Sequence, residues 1–369
     1  MRAYLKILGG CFIVGSLVFV ATRFQNASVE PTLTPMSGGS MSSVHIAEPF
    51  DTDILDKMER LLSSNLNQEH KLQLAAILYR YGRDSGEEFL AKVLIEERNI
   101  TAATVFALNR DEARLPQVLE ALARWEIEKD VYSFSLYDEE FPLALGQWKH
   151  PRIAAALLTK QKANPHYGAL ALALGRQNMK AALPLLTEQA RTTPNNSMEA
   201  LKFKTALARL TPENSARFHD LLRPASPGEY PLRQDEAMGY LSYLQEPRLV
   251  PVLLDTIDKF RPPVVAGEPV RTIASHAIEP LAQYPPEVYY PTLRKVFDEL
   301  AMPADGRFFP PPTKLRVAAH LYRAKPNGDH TFLREGLGFQ GLEELKAMHK
   351  LKPIPQHLLS FDEVTATLF

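Results

Sequence analysis

The chain has almost no cysteine. Cys11 is the only one in 369 residues, and it lies inside an apolar segment at the N-terminus. An intramolecular disulfide is therefore excluded, as are a cysteine-ligated zinc site and a thiol nucleophile in the body. An excess of charge of one sign is also lacking, with 42 Lys and Arg against 43 Asp and Glu. Most nucleic-acid binders carry a basic excess, so nucleic acid is not expected as a partner. Signatures of catalysis are missing too: no HExxH, no Gly-rich phosphate loop, no GxSxG elbow and no kinase motif. Ten histidines are present, none at metal-ligand spacing. The nearest arrangement is His276 with Glu279, three residues apart on one predicted helix. A two-metal site would need a second such pair. No enzyme activity, cofactor or metal is expected.

What the chain does have begins at its N-terminus. Arg2 and Lys6 precede an apolar run of 15 residues from Ile7 to Ala21, and Arg23 follows. A spanning helix needs about 20 apolar residues and a signal-peptide core about 7–15, so length leaves both open. A cleavage site needs small residues at −1 and −3. Ala21 would place Phe19 at −3, and Ala27 would place Gln25 there. The poor site favours an uncleaved anchor over residues 1–24. The basic residues ahead of it orient the body outside the cytoplasm. This predicts a bacterial envelope protein anchored in the inner membrane, or a secreted or periplasmic one if the segment is cleaved. Leu8-Gly9-Gly10-Cys11 looks like a lipoprotein box, but the apolar run continues past Cys11, where a lipobox should end it.

Residues 25–49 include PTLTPMSGGSMSS from Pro31 to Ser43. This stretch is polar, nearly uncharged and rich in Ser, Gly and Pro. It buries too little apolar surface to offset its ordering entropy, so it is expected to be a flexible linker.

From residue 50 the chain breaks into apolar segments separated by short turns. Leu72, Ala75, Ala76 and Tyr79 fall on one helix face, and Leu74, Ile77, Leu78 and Tyr81 on a second. A helix apolar on two faces is sandwiched between neighbours; Gly82 should end it. GALALALG, from Gly168 to Gly175, alternates two strong helix formers. It is read as a buried helix starting near Asn164-Pro165 and stopping at Gly175. Proline is abundant, 29 residues against a roughly 5% background. Many prolines open apolar runs, where a missing N–H costs least.

A repeated form emerges. Second helices align as Arg114-Leu115-Pro116, Arg152-Ile153-Ala154, Ala182-Leu183-Pro184, Arg217-Phe218-His219, Leu249-Val250-Pro251 and Tyr289-Tyr290-Pro291. The spacing drifts around 35 residues. Polar turns precede three of them: Leu108-Asn109-Arg110-Asp111, Gly175-Arg176-Gln177-Asn178 and Leu244-Gln245-Glu246. On these residues the body resembles HEAT repeats, in the short form typified by the phycocyanobilin-lyase-like repeats of bacteria. Residues 166–192 and 235–260 match best, and the resemblance covers about 85–340. Tetratricopeptide repeats are less similar, because their 34-residue length hardly varies. The resemblance implies an all-α fold over residues 50–340, an α-solenoid of about seven or eight antiparallel helical pairs, with a C-terminal helix and tail over 341–369. It implies nothing about catalysis.

Such stacks expose a long concave surface that binds proteins. The expected function is therefore a non-catalytic protein-binding scaffold or adaptor. The alternative is an accessory subunit of an envelope enzyme, or an enzyme whose site is not recognisable. Two features are candidate contact sites. Residues 84–140 carry a balance of −8 and residues 311–355 one of +4. The basic set is Lys314, Arg316, Arg323, Lys325, Arg334, Lys346, Lys350 and Lys352, which could steer a charged partner. Phe308 and Phe309 lie in a proline-rich loop and could form an apolar protrusion. The remaining carboxylates, such as Asp84, Glu87 and Glu88, are expected at helix starts or on solvated faces.

Overall fold

A computed structural model describes residues 52–127, 136–224, 226, 233–259, 277–300 and 312–359. The anchor segment, the linker, His276, the loops at 261–268 and 302–311 with Phe308 and Phe309, and residues 360–369 lie outside the described residues. Among the described residues the chain is all-helical, with seventeen α-helices and no strand. No described helix is long and apolar enough to cross a membrane.

The chain divides into two compact units. Of the described residues, the first holds 56–246 together with 352–359, and the second holds 52–55 together with 247–351. The helices are α1 (Thr52–Leu62), α2 (Gln68–Arg80), α3 (Asp84–Glu97), α4 (Ile100–Leu108), α5 (Leu115–Arg124) and α6 (Leu136–Gln147). Then come α7 (Pro151–Ala163), α8 (Gly168–Arg176), α9 (Leu183–Thr192), α10 (Met198–Leu210), α11 (Ser215–Leu222) and α12 (Arg233–Tyr243). The second unit holds α13 (Val250–Lys259), the single turn α14 (Glu279–Leu281), α15 (Pro286–Glu299), α16 (Pro312–Ala324) and α17 (Thr331–His349).

In the first unit the most buried helices form one continuous row. α2 reaches α4, α4 packs on α6, α6 on α8, α8 on α10 and α10 on α12. Their partners lie alongside: α3 against α2, α5 against α4, α7 against α8, and α9 and α11 against α10. α8 is the extreme case, with all nine residues buried. Burying Leu170, Leu172 and Leu174 contributes roughly 1.5–3 kcal/mol each. Small residues let the row close up. A Cβ on Gly146 would lie 2.1 Å from Tyr243 Oη and 2.8 Å from Ala173 Cα, so α6 meets α8 nearly backbone to backbone.

The polar turns end helices in one recurring geometry. Arg110, Asn178 and Gln245 adopt left-handed φ angles of 52°, 56° and 52°. The next amide then reaches back to the helix: Asp111 N–H to Phe106 O, Met179 N–H to Leu174 O, and Glu246 N–H to Leu241 O. Gly82 (φ 75°) does the same for α2, its neighbour Arg83 donating to Leu78 O. This is the Schellman ending. A 3₁₀ turn follows at Glu112–Arg114, Lys180–Ala182 and Pro247–Leu249, and each leads into a helix beginning Leu-Pro or Val-Pro.

Three expectations need correction. Gly175 does not stop α8; the helix runs on to Arg176 and the left-handed residue is Asn178. Gly175 is small because Ala206 and Leu244 pack against it. α8 starts at Gly168, with Tyr167 as its cap, not at Asn164-Pro165. Pro291 does not open its helix. Pro286 does, so Pro291 lies inside α15 and forgoes one helical hydrogen bond.

Candidate functional site

Two neighbouring carboxylates at the start of α6, Glu139 and Glu140, organise two arrangements in the first unit. Both are buried.

The first arrangement is a strap. Residues 352–355 carry no regular structure and Gln356–Leu359 form one 3₁₀ turn. This segment lies on α2, α4 and α6. Lys352 N–H donates to Arg80 O over 3.0 Å. Asn109 Nδ2 donates to Pro353 O over 2.8 Å. Gln73 Nε2 donates to Leu358 O over 3.4 Å. His357 Nδ1 lies 2.8 Å from Glu140 Oε2. Ile354 and Leu358 are buried.

Asn109 caps α4, as Gln177 caps α8. The Gln177 amide donates to Leu145 O and Trp148 O at the end of the preceding buried helix. At Asn109 the strap's Pro353 carbonyl takes that donor instead. The Lys352 ammonium sits 4.0 Å from the Tyr79 ring centroid and 3.5 Å from Glu87 Oε2. Burial, with Glu87 nearby, pushes the Tyr79 phenol well above its ordinary range. A partly exposed cation over a ring is worth about 0.5–1 kcal/mol, so Lys352 stabilises the strap only modestly.

The second arrangement is a caged lysine. Lys202 of α10 is fully buried, and its ammonium donates to Glu139 Oε1 and, over 2.6 Å, to Glu199 Oε1. Gly168 N–H donates to the other oxygen of Glu199. Any side chain at Gly168 would crowd this group, since a Cβ there would lie 2.7 Å from Glu199 Oε2 and 2.8 Å from Lys202 Cβ. Burial alone would lower the Lys202 pKa, but Glu139 and Glu199 outweigh it and hold the ammonium protonated. Glu236 of α12 is buried beside the same group. Burial, offset in part by Lys202 and reinforced by Glu139, pushes its carboxyl up to about 8. The cage thus joins α6, α10 and α12 through an internal cation. Among the described residues no group of three or more His, Cys, Asp or Glu could hold a metal ion.

The basic residues singled out in the sequence fall in both units. Lys352 belongs to the strap in the first unit. The others lie in the second. Lys314 is buried; its ammonium donates to Leu300 O over 2.7 Å and lies 4.7 Å from the Phe297 ring centroid. Arg316 and Arg323 act on Glu279, whose part-buried carboxyl also meets His320 Nε2 at 3.1 Å. Burial opposes ionisation of Glu279, but His320 and the two arginines prevail and hold its pKa below the ordinary value. Lys346 pairs with Glu343 at 2.7 Å, and Lys325 lies 4.2 Å from the Tyr290 ring centroid. Arg334 and Lys350 are exposed. Phe339, at a break in α17 where Gly338 has φ 78°, is the most exposed large apolar residue described.

Sequence reasoning placed the acidic residues on outer faces or at helix starts. Asp84 and Glu87 do open α3. Glu139, Glu140, Glu236 and Glu246, by contrast, are buried. The signal that could have found the cage is Lys202 itself, a lysine within the apolar run of α10 flanked by Leu201 and Phe203.

No family model, no curated protein and no solved structure matches this chain.

Proposed function

We propose that this chain is a non-catalytic protein-binding scaffold, an α-solenoid of about seven or eight helical pairs related to the short HEAT repeats. In this reading the apolar segment over residues 7–21 tethers it to a bacterial inner membrane, and the body works outside the cytoplasm. The recurring unit supports the repeat assignment: a buried helix, a left-handed polar residue, a 3₁₀ turn and a helix opened by Leu-Pro or Val-Pro. The observation that carries the functional reading is the strap. The α2–α4–α6 face holds a segment distant in sequence through hydrogen bonds to its main chain and through the buried side chains of Ile354 and Leu358. A face that holds one irregular segment this way has the chemistry to hold another.

The test is affinity enrichment from cross-linked envelope fractions, comparing the native chain with a Gln73→Ala, Asn109→Ala double variant. A partner recovered by the native chain and depleted with the variant supports the reading. Equal recovery from both would remove this face from the function.

A further inference from the structure

The strap's contacts fall into two sets. Those to its main chain, from Gln73 and Asn109 and onto Arg80 O, read no sequence. Those to its side chains do. A cation is read at position one, where Lys352 meets Tyr79 and Glu87. An apolar side chain is read at position three, where Ile354 is buried. A hydrogen-bonding ring is read at position six, where His357 meets Glu140, and an apolar residue at position seven, where Leu358 is buried. Positions two and four are Pro353 and Pro355. Each removes a donor that would otherwise need a partner, and each biases the residue before it away from the helical region. A segment so constrained loses little entropy on binding.

We propose that the α2–α4–α6 face is a recognition site for a partner protein's segment with a basic residue, proline, an apolar residue and proline in succession and His-Leu starting two residues after the second proline, and that residues 352–359 occupy it as a competing internal ligand. This rests on the scaffold reading and names the chemistry of its partner. Attachment gives the strap an effective concentration on the order of millimolar. A partner therefore binds only to the fraction of molecules whose face is vacant, and its apparent affinity falls by that fraction.

The experiment measures binding of a fluorescent peptide of residues 352–359 to the full chain in detergent micelles. The comparison is with the Ile354→Asp chain, whose own strap loses its buried apolar anchor while α2, α4 and α6 are untouched. The Ile354→Asp chain is expected to bind the peptide about tenfold tighter than the native chain. A peptide carrying Lys352→Glu should bind clearly more weakly to it. Equal binding to both chains, or equal binding of a scrambled peptide, overturns the proposal. Hydrogen exchange on the native chain guards against misfolding of the variant. Saturating peptide should accelerate exchange at the Lys352 amide, and an unchanged rate overturns the proposal as well. Partners enriched through this face without peptide binding would overturn the pattern and leave the scaffold reading standing. Peptide binding without any such partner would support the pattern and count against the scaffold reading.

Discussion

Glu140 Oε2 lies 2.8 Å from His357 Nδ1, joining two residues 217 positions apart. Glu140 is buried and His357 is mostly so. A buried hydrogen bond to a charged group contributes about 1.5–3 kcal/mol. Glu140→Ala should therefore release the strap's C-terminal half without unfolding α6. The check is amide hydrogen exchange, with faster exchange over residues 352–359 and unchanged rates in α8 and α10. Uniform acceleration across the first unit would show that Glu140 supports the fold instead.

The caged lysine makes a sharper stability claim. Lys202→Met removes the cation that pairs with Glu139 and Glu199. Breaking a buried pair this way costs about 3–5 kcal/mol. Lys202→Met combined with Glu139→Gln should recover part of that loss, because one stranded charge is gone. Urea denaturation of the three chains reads both effects. A double variant no more stable than Lys202→Met would contradict the cage.

Glu236 gives the first unit a pH dependence. Its folded pKa, about 8, stands above the ordinary value of 4.5. Between these the folded state binds a proton that the unfolded state has lost, so stability falls as pH rises, by about 1.4 kcal/mol per pH unit at most. The contribution is fully present below the unfolded pKa and is lost as pH passes about 8. The groups facing Glu236 are Lys202, Glu139, Asp235 and Tyr240. In Glu236→Gln this decline should vanish. Melting temperatures of the two chains from pH 5 to pH 9 provide the comparison, and parallel curves would show that Glu236 does not titrate in that window.

Backbone geometry supplies a fourth test. Arg110 holds a left-handed φ of 52°, which costs a side-chain-bearing residue about 1 kcal/mol. Arg110→Gly should stabilise by a similar amount. Asn178→Gly should gain less, because asparagine tolerates this region. Gly146→Ala should act in the opposite direction, destabilising by about 1–3 kcal/mol through overpacking, since its Cβ would meet the Ala173 backbone at 2.8 Å. Thermal melts rank the three, and any other order would contradict the packing described.

The helices and their punctuation were legible because their causes are local. Leu-Pro openings, polar turns and two-faced apolar segments each act within a few residues. The turns at Arg110, Asn178 and Gln245 fall inside the stretches that the sequence marks as polar. The site was not legible, because its causes are distant. Glu139 and Lys202 are 63 positions apart, and Asn109 and Pro353 are 244 apart. A glutamate in a cage and a glutamate in water look the same in one sequence. The basic set was equally mute about its surroundings. Lys314 and Arg334 read alike, yet one spends its charge on Leu300 O and the other is exposed. Gly175 shows the remaining limit: a glycine near a helix end suggests a stop, but here it serves close packing against Ala206.

The most direct test is site-specific photocross-linking in cells. A photoreactive residue replaces Gln73 on the strap-binding face or, as a control, Glu188 on exposed α9. Products joining the chain to another protein are expected from position 73, with few from position 188, and they should increase when Ile354→Asp unseats the strap. Purely intramolecular products from position 73, or equal intermolecular products from both positions, would contradict protein binding by this face.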